Sequence, residues 1–415
     1  MTQLEQQGSA AKLASRALAL ADTETKNRAL YAIADILEAR QDEWLAANRE
    51  DLDAARADGM RQSLLDRLAL NPQRIAGIAA GVREAAALPD PVGATLSETV
   101  RPNGLRIVRK SVPLGVIGII YEARPNVTAD AAALCLKAGN ACILRGGKEA
   151  IRSNRCAVRL MREALLSVGL PEDAICLVQD TSRESARELM HLDRYLDVLI
   201  PRGGAGLIRT VAKESSVPVI RTGEGVCHVY VDADADLDMA ARIVYNAKCS
   251  RPSVCNAVEC VLLHEEVAEA FLQKALPLLD QKNVELRGDG VVCAILGGRA
   301  KPATAEDWDA EYGDYVLALK TVSGVDEAIA FITEHGTQHS ESIVTENAQT
   351  AQRFLDAVDA AAVYVNASTR FTDGGEFGLG AEIGISTQKL HARGPMGLEA
   401  LTSWKYVVYG NGQVR

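Results

Sequence analysis

Cys255 is the residue whose type and setting most directly suggest chemistry. It lies in Cys249-Ser-Arg-Pro-Ser-Val-Cys255-Asn-Ala, in the break between a helical stretch and a strand-like run. Loops at such breaks are where a nucleophile can meet solvent. A thiol ionises near pH 8.5, so one that attacks carbon at neutral pH needs nearby positive charge or backbone donors, for about that reference value. Arg251 and the loop's own amides are placed to supply them. A half-buried structural thiol fits the same spacing. A metal reading of Cys249, Cys255 and Cys260 is weaker, because their gaps exceed those of the usual zinc pairs and Cys260 sits in an apolar run.

Two glycine turns follow strand-like runs. Pro201-Arg-Gly203-Gly204-Ala-Gly206 opens a helical segment, and glycines there let backbone approach a phosphate at a helix N-terminus. A plain tight turn is the competing reading. Leu144-Arg145-Gly146-Gly147-Lys148 places two glycines between two cations, which suits a phosphate group. Arg152, Arg155, Arg159 and Arg162 continue on the next helix and read as a solvated face. His335 and His339 have the i, i+4 spacing of a helical metal pair, but Gly336 argues that a helix ends there, and no metal is expected. Asn366-Ala-Ser-Thr-Arg370-Phe-Thr-Asp373-Gly-Gly375 follows a strand-like run directly and reads as a ligand loop or an ordinary surface loop.

These residues need a scaffold. Residues 1 to 90 carry apolar residues at helical spacing, as in Leu30, Ile33, Ile36 and Leu37, and are expected to be helical. Beyond them, short β-branched runs at 116–120, 141–144, 174–178, 197–200 and 217–220 alternate with helical stretches. The alternation resumes with runs at 227–231, 257–263, 315–319, 342–344 and 362–365. Near-continuous apolar strands between helices imply parallel sheets covered on both faces, hence an α/β fold. Two α/β units in series are expected, with a boundary at 223–225. Segments 101–112 (with an Asn103-Gly104 turn) and 401–414 read as strands that pair outside both units.

The 415-residue length calls for two or three domains. A net charge of −10 argues against a general nucleic-acid or anionic-membrane binder. No run is apolar enough for a membrane span, and no signal peptide is expected from the N-terminal residues. Seven of the nine cysteines, 135, 142, 156, 176, 227, 260 and 293, sit in apolar runs and read as buried thiols of a reducing, cytoplasmic compartment.

Longer segments carry a resemblance. The stretch 112–126, ending in Tyr121-Glu-Ala-Arg-Pro-Asn126, then 138–145, the 203–206 turn, Cys255 and the closing segment 393–405 resemble the aldehyde dehydrogenase superfamily, in that superfamily's order. Tyr121–Asn126, Arg251-Pro-Ser-Val-Cys-Asn256, the 366–373 loop and Gly380-Ala-Glu-Ile-Gly-Ile-Ser386 are similar to the branch that reduces γ-glutamyl phosphate.

The resemblance implies an aldehyde dehydrogenase-like architecture. A Rossmann-type cofactor domain would take 1–100 and 113–225, an α/β catalytic domain 226–400, and a small β oligomerisation arm 101–112 and 401–415. It implies reduction of L-glutamyl 5-phosphate by NADPH to the semialdehyde and phosphate, through a thioester on Cys255, in proline biosynthesis. Asn126 is implied as an oxyanion donor. Arg145, Gly146, Gly147, Lys148, Gly203, Gly204 and Gly206 would hold NADP(H), Lys148 favouring a 2′-phosphate. Glu122, Arg124, Arg370 and Glu382 would meet the substrate's amino and carboxylate groups. Hydrolytic members carry a Glu that activates water; Thr222 stands at that place here, with Glu224 two residues on. A homo-oligomer is implied, and a separate glutamate 5-kinase as partner, since the chain is too short to hold a kinase domain as well. The rival enzyme reading is a CoA-acylating aldehyde dehydrogenase.

Overall fold

The structure is a computed structural model that describes residues 1–122 and 124–415. The chain forms two compact units. The first takes residues 1–222, 378–384 and 396–415, and the second takes 223–377 and 385–395. The division at 222/223 lies beside the expected boundary. The return of 378–384 and 396–400 to the first unit goes beyond that expectation. Two hydrogen bonds tie those segments to each other: Ile383 N–H donates to the Met396 carbonyl at 3.0 Å and Met396 N–H to the Gly384 carbonyl at 2.8 Å.

The first unit opens with five helices, Gln3–Leu18, Thr23–Ala39, Gln41–Ala57, Gln62–Leu68 and Pro72–Ala87. Side chains of Thr2, Asp22 and Asn71 accept from first-turn N–H groups and fix three of the starts. Leu30, Ile33, Ala34 and Leu37 bury one stripe of the second helix. A four-stranded parallel sheet follows, in the order Ile175–Leu177, Ala141–Arg145, Val116–Tyr121, Val198–Arg202. Its central strand is buried at every position, as a parallel strand covered on both faces must be. At Gly118 a Cβ would stand 2.6 Å from Leu199, so only glycine lets those strands close up. The run at 217–220 does not become a strand. It makes one bridge, Val219 to Leu199, because Pro218 has no N–H to give a ladder.

Arg106–Pro113 is the middle strand of a three-stranded antiparallel sheet, between Thr95–Val100 and Thr402–Tyr409. The turn at Asn103-Gly104 joins the first two, with Gly104 at φ +88°. Trp404, Tyr406, Val408 and Tyr409 remain exposed on the third.

The second unit is built on a seven-stranded parallel sheet. Its order is Ala300–Pro302, Glu285–Gly288, Val316–Val322, Val258–His264, Cys227–Val231, Ser340–Val344, Ala362–Val365. The first two strands are four residues or fewer, carry Arg287, Lys301 and Pro302, and give no apolar run for a sequence reader to see. Successive side chains serve opposite faces. Val229 and Val231 join one core with Val244, Phe271 and Leu317. Tyr230 joins the other with Phe331 and Phe354. Among the described residues, no helix is long and apolar enough to cross a membrane.

Candidate active site

Cys255 lies in the second unit, in the loop between the helix Leu237–Cys249 and the strand Val258–His264. The loop therefore sits at the amino ends of strands, and not at the carboxyl ends where ligand loops of parallel sheets are usually sought. Cys255 is half-buried. Seven other cysteines are buried and Cys293 is half-buried, the last against the expectation, because the short helix that carries it covers only part of its surface. Burial pushes the Cys249 thiol up to about 11, the Cys176 thiol up to about 12 and the Cys227 thiol well above its ordinary value. Those sulfurs stay protonated at neutral pH.

Three neighbours fix the Cys255 loop. Gly225 passes so close that a Cβ there would lie 1.4 Å from the Cys255 carbonyl oxygen. Its own N–H goes to the carboxylate of Glu311. Cys227, at the start of its strand, donates its S–H to the same Cys255 carbonyl at 3.2 Å. Asn256 gives its side-chain amide to the Thr372 carbonyl at 2.9 Å, and Thr369 Oγ1 donates to the Asn256 carbonyl at 2.7 Å. The loop after strand Ala362–Val365 thus runs back across the sheet edge to clasp the Cys255 segment. Arg370, on that loop, donates through Nε to Ser250 Oγ at 3.1 Å and through Nη1 to Asn256 Oδ1. Its charge is disfavoured by burial and by Arg251, and favoured by Asp373 and Cys255. Cys255 and Arg370, proposed from sequence as nucleophile and substrate residue, are therefore brought together. The arrangement places a half-buried thiol beside the Arg370 guanidinium on a loop with little freedom to move.

The remaining expected site residues belong to the first unit. Glu122 follows strand Val116–Tyr121, and its Oε2 accepts from Gly204 N–H at 3.0 Å, at the start of the helix Ala205–Glu214. Glu122 thereby serves the glycine turn. Arg124 is exposed at the N-cap of the helix Pro125–Lys137. Asn126 is half-buried on the first turn of that helix and donates from Nδ2 to Asp130 Oδ2 at 3.0 Å. Desolvation raises the Asp130 carboxyl to about 6, opposed by that bond and by Arg202. Glu382 is half-buried in the 378–384 segment.

The two glycine turns differ physically. At Gly146 a Cβ would stand 2.2 Å from Asn154 Nδ2, and at Gly147 2.1 Å from the Glu149 carboxylate. Packing within the chain accounts for both. At Gly204 and Gly206 a Cβ would meet nothing within 4 Å, and Gly204 has φ −69°. Gly203 is packed like the first pair, a Cβ there standing 2.6 Å from Glu122 Oε2, whereas neither conformation nor packing demands glycine at 204, whose N–H goes to Glu122. Arg145 gives Nη2 to the carbonyls of Thr181 and Ser182 at 2.7 and 2.8 Å, so its guanidinium also holds a loop. Lys148 is largely exposed, with Asp58 at 3.4 Å as a weak surface partner.

Thr222 is buried and donates to the Pro201 carbonyl at 2.9 Å. A hydroxyl so engaged does not activate water. The histidine pair also resolves: His335 faces Asp309 at 2.8 Å, His339 is buried beside Ser340 at 2.8 Å, and no metal cluster exists among the described residues. Sequence reasoning missed Cys227, Gly225, Glu311 and Asp130 as parts of these settings. Gly225 was visible only as a boundary glycine, and Cys227 only as a buried thiol. The one available signal was the clustering of two glycines and a cysteine before a strand.

The model of the aldehyde dehydrogenase family matches residues 2–289. The chain is 57% identical over 412 residues to a γ-glutamyl phosphate reductase of Ligilactobacillus salivarius, covering 99% of each chain. It is 59% identical over 405 residues to the enzyme of that name from Carboxydothermus hydrogenoformans, covering 98% of this chain and 97% of the other. A crystal structure of the γ-glutamyl phosphate reductase of Thermotoga maritima superimposes with a TM-score of 0.98 at 48% identity, covering all of both chains.

The Gly225 contact yields a prediction. Gly225→Ala must push the Cys255 carbonyl aside, and should cost about 1–3 kcal/mol in urea unfolding, as overpacking does. It should also change the rate of Cys255 alkylation by iodoacetamide about tenfold or more, in keeping with the sensitivity of reactive groups to small displacements. Gly204→Ala, with open space around it, should leave stability within about 0.5 kcal/mol of the parent. An unchanged alkylation rate in Gly225→Ala would contradict the contact.

Proposed function

The chain belongs to the aldehyde dehydrogenase family and, within it, to the γ-glutamyl phosphate reductases, and from that premise we propose that Cys255 carries the glutamyl group as a thioester. The enzyme is an oxidoreductase of proline biosynthesis that forms glutamate 5-semialdehyde and uses a nicotinamide cofactor. The observation that carries the proposal is the half-buried Cys255 thiol, clamped at its backbone and set beside Arg370.

In this reading the Cys255 thiolate attacks the acyl carbon of L-glutamyl 5-phosphate. The carbon–sulfur bond forms, the bond to the phosphate oxygen breaks, and inorganic phosphate leaves. The tetrahedral oxyanion takes hydrogen bonds from the Cys255 N–H and from Asn126, whose amide Asp130 orients. Reduced NADP, when bound, supplies hydride to the acyl group. Cys255 then releases the aldehyde as a thiolate, ready for another turnover. Arg370 supplies positive charge for the anionic substrate, with Glu122, Arg124 and Glu382 as the other proposed substrate contacts. Thr222, whose hydroxyl is engaged with the Pro201 carbonyl, does not itself activate water, in keeping with a reductase that spares its thioester.

Gly203, Gly204 and Gly206 are proposed to take the dinucleotide's phosphates, with Arg145, Gly146 and Gly147 shaping the neighbouring turn. Lys148 is proposed to meet the 2′-phosphate that distinguishes NADP. The three-stranded sheet of 95–113 and 402–409, with its exposed Trp404 and Tyr406, is proposed to join subunits of a homo-oligomer. A separate glutamate 5-kinase is proposed to supply the substrate, in the cytoplasm.

Run backwards, the enzyme should reduce NADP with glutamate 5-semialdehyde only when phosphate is present. Equal rates without phosphate would mean hydrolysis, and a requirement for CoA in place of phosphate would mean a CoA-acylating enzyme. Cys255→Ser should lose turnover while cofactor binding, followed by fluorescence titration, persists; retained turnover would remove the covalent step. Lys148→Ala should raise the KM for NADP about tenfold and leave that for NAD nearly unchanged, as loss of one charge-assisted contact to a phosphate would. Equal effects on both cofactors would remove Lys148 from the 2′-phosphate.

A further inference from the structure

We infer that the buried thiol of Cys227 is a positioning residue for Cys255, holding the nucleophile's peptide through a closed circuit of hydrogen bonds. The inference rests on the reading of Cys255 as the nucleophile. The circuit begins at the Cys255 carbonyl, which accepts the Cys227 S–H at 3.2 Å. Cys227 Sγ lies 3.7 Å from His339 Nδ1, and the same Nδ1 lies 2.8 Å from Ser340 Oγ. Ser340 Oγ is 2.6 Å from Thr372 Oγ1, which also meets Tyr364 OH at 2.7 Å. The Thr372 carbonyl accepts the Asn256 amide at 2.9 Å, one residue from the start. Four separate segments, at 227, 256, 339–340 and 372, are thus joined into one ring that opens and closes on a single peptide unit.

With its proton given to the Cys255 carbonyl, the Cys227 sulfur lies 3.7 Å from His339 Nδ1, whose nearer partner is Ser340 Oγ at 2.8 Å. Among the described residues His339 Nε2 has no hydrogen-bond partner. Burial lowers the His339 pKa to about 4 and raises that of Cys227, so neither changes its proton at neutral pH. The ring is a fixed scaffold and not a proton relay. Its product is geometric: the carbonyl of Cys255 is held from one side by Cys227 and pressed by Gly225, which fixes ψ at Cys255 and with it the direction in which the Cα–Cβ bond leaves the backbone. A filler of the same volume without a donor would leave that carbonyl buried with one bond fewer.

Cys227→Ala, Cys227→Val and Cys227→Ser test the inference in the full-length enzyme. Ala removes the donor, Val keeps bulk without a donor, and Ser keeps a donor. Ala and Val should each lower kcat, and the rate at which iodoacetamide labels Cys255, by about tenfold, the effect of one lost hydrogen bond on a buried group. The KM values for semialdehyde, phosphate and NADP should stay within about twofold, because no contact to a ligand is removed. Ser should recover kcat and labelling to within about threefold of the parent. If Ala does not fold, the Val and Ser pair gives the same comparison; if Val fails as well, the Ser variant must retain parental labelling. Full activity in Ala or Val would overturn the inference, as would a Ser variant impaired like them. Cys255→Ser assayed alongside separates the two claims: activity there defeats the covalent reading, whereas an inactive Cys255→Ser beside a fully active Cys227→Ala defeats the positioning role alone.

Discussion

The carbonyl oxygen of Cys255 occupies the space in which a side chain at position 225 would begin, 1.4 Å from an imagined Cβ. This contact constrains everything around it. The chain leaving the first unit must pass Gly225 bare, then turn at once into the strand Cys227–Val231. Cys227 is thereby set against the same carbonyl, and the loop Asn366–Thr372 closes from the other side through Asn256. A nucleophile carried on a loop needs its freedom removed by neighbours, since a misplacement of about 1 Å can cost a hundredfold in rate. Here the neighbours act on its backbone and leave the sulfur half-exposed.

The same logic separates Cys255 from the other thiols. A sulfur in an apolar core is inert because its anion is unsolvated, and Cys176, Cys227 and Cys249 are held protonated by that burial. Cys255 lies instead next to Arg370, a guanidinium whose charge burial and Arg251 disfavour and Asp373 and Cys255 favour. The Thr222 hydroxyl is likewise engaged, on the Pro201 carbonyl, and does not activate water.

Much of this organisation was legible in the sequence. Continuous apolar runs such as 116–121 and 227–231 announce parallel strands, and the long segments around Asn126, Cys255 and Arg370 announce the family. What stayed hidden has physical causes. The strands Glu285–Gly288 and Ala300–Pro302 are too short and too polar to show a period. The run at 217–220 looks like a strand, but Pro218 removes the ladder donor and leaves one bridge. Arg145 and Lys148 are indistinguishable as letters, yet one is turned onto carbonyls of its own chain and the other stands in solvent. The ring through Cys227, His339, Ser340 and Thr372 joins residues up to 145 positions apart (227 to 372), and no local pattern encodes it.

The most direct test of the central claim is to catch the acyl group on its sulfur. Enzyme mixed with glutamate 5-semialdehyde and NADP, without phosphate, has no acceptor for the acyl group and should accumulate the thioester. After acid quench and digestion, mass spectrometry should find one glutamyl group on the peptide that contains Cys255, lost again when phosphate is added before the quench. A glutamyl group on another cysteine, or a burst of NADPH with no acylated peptide at all, would contradict the account.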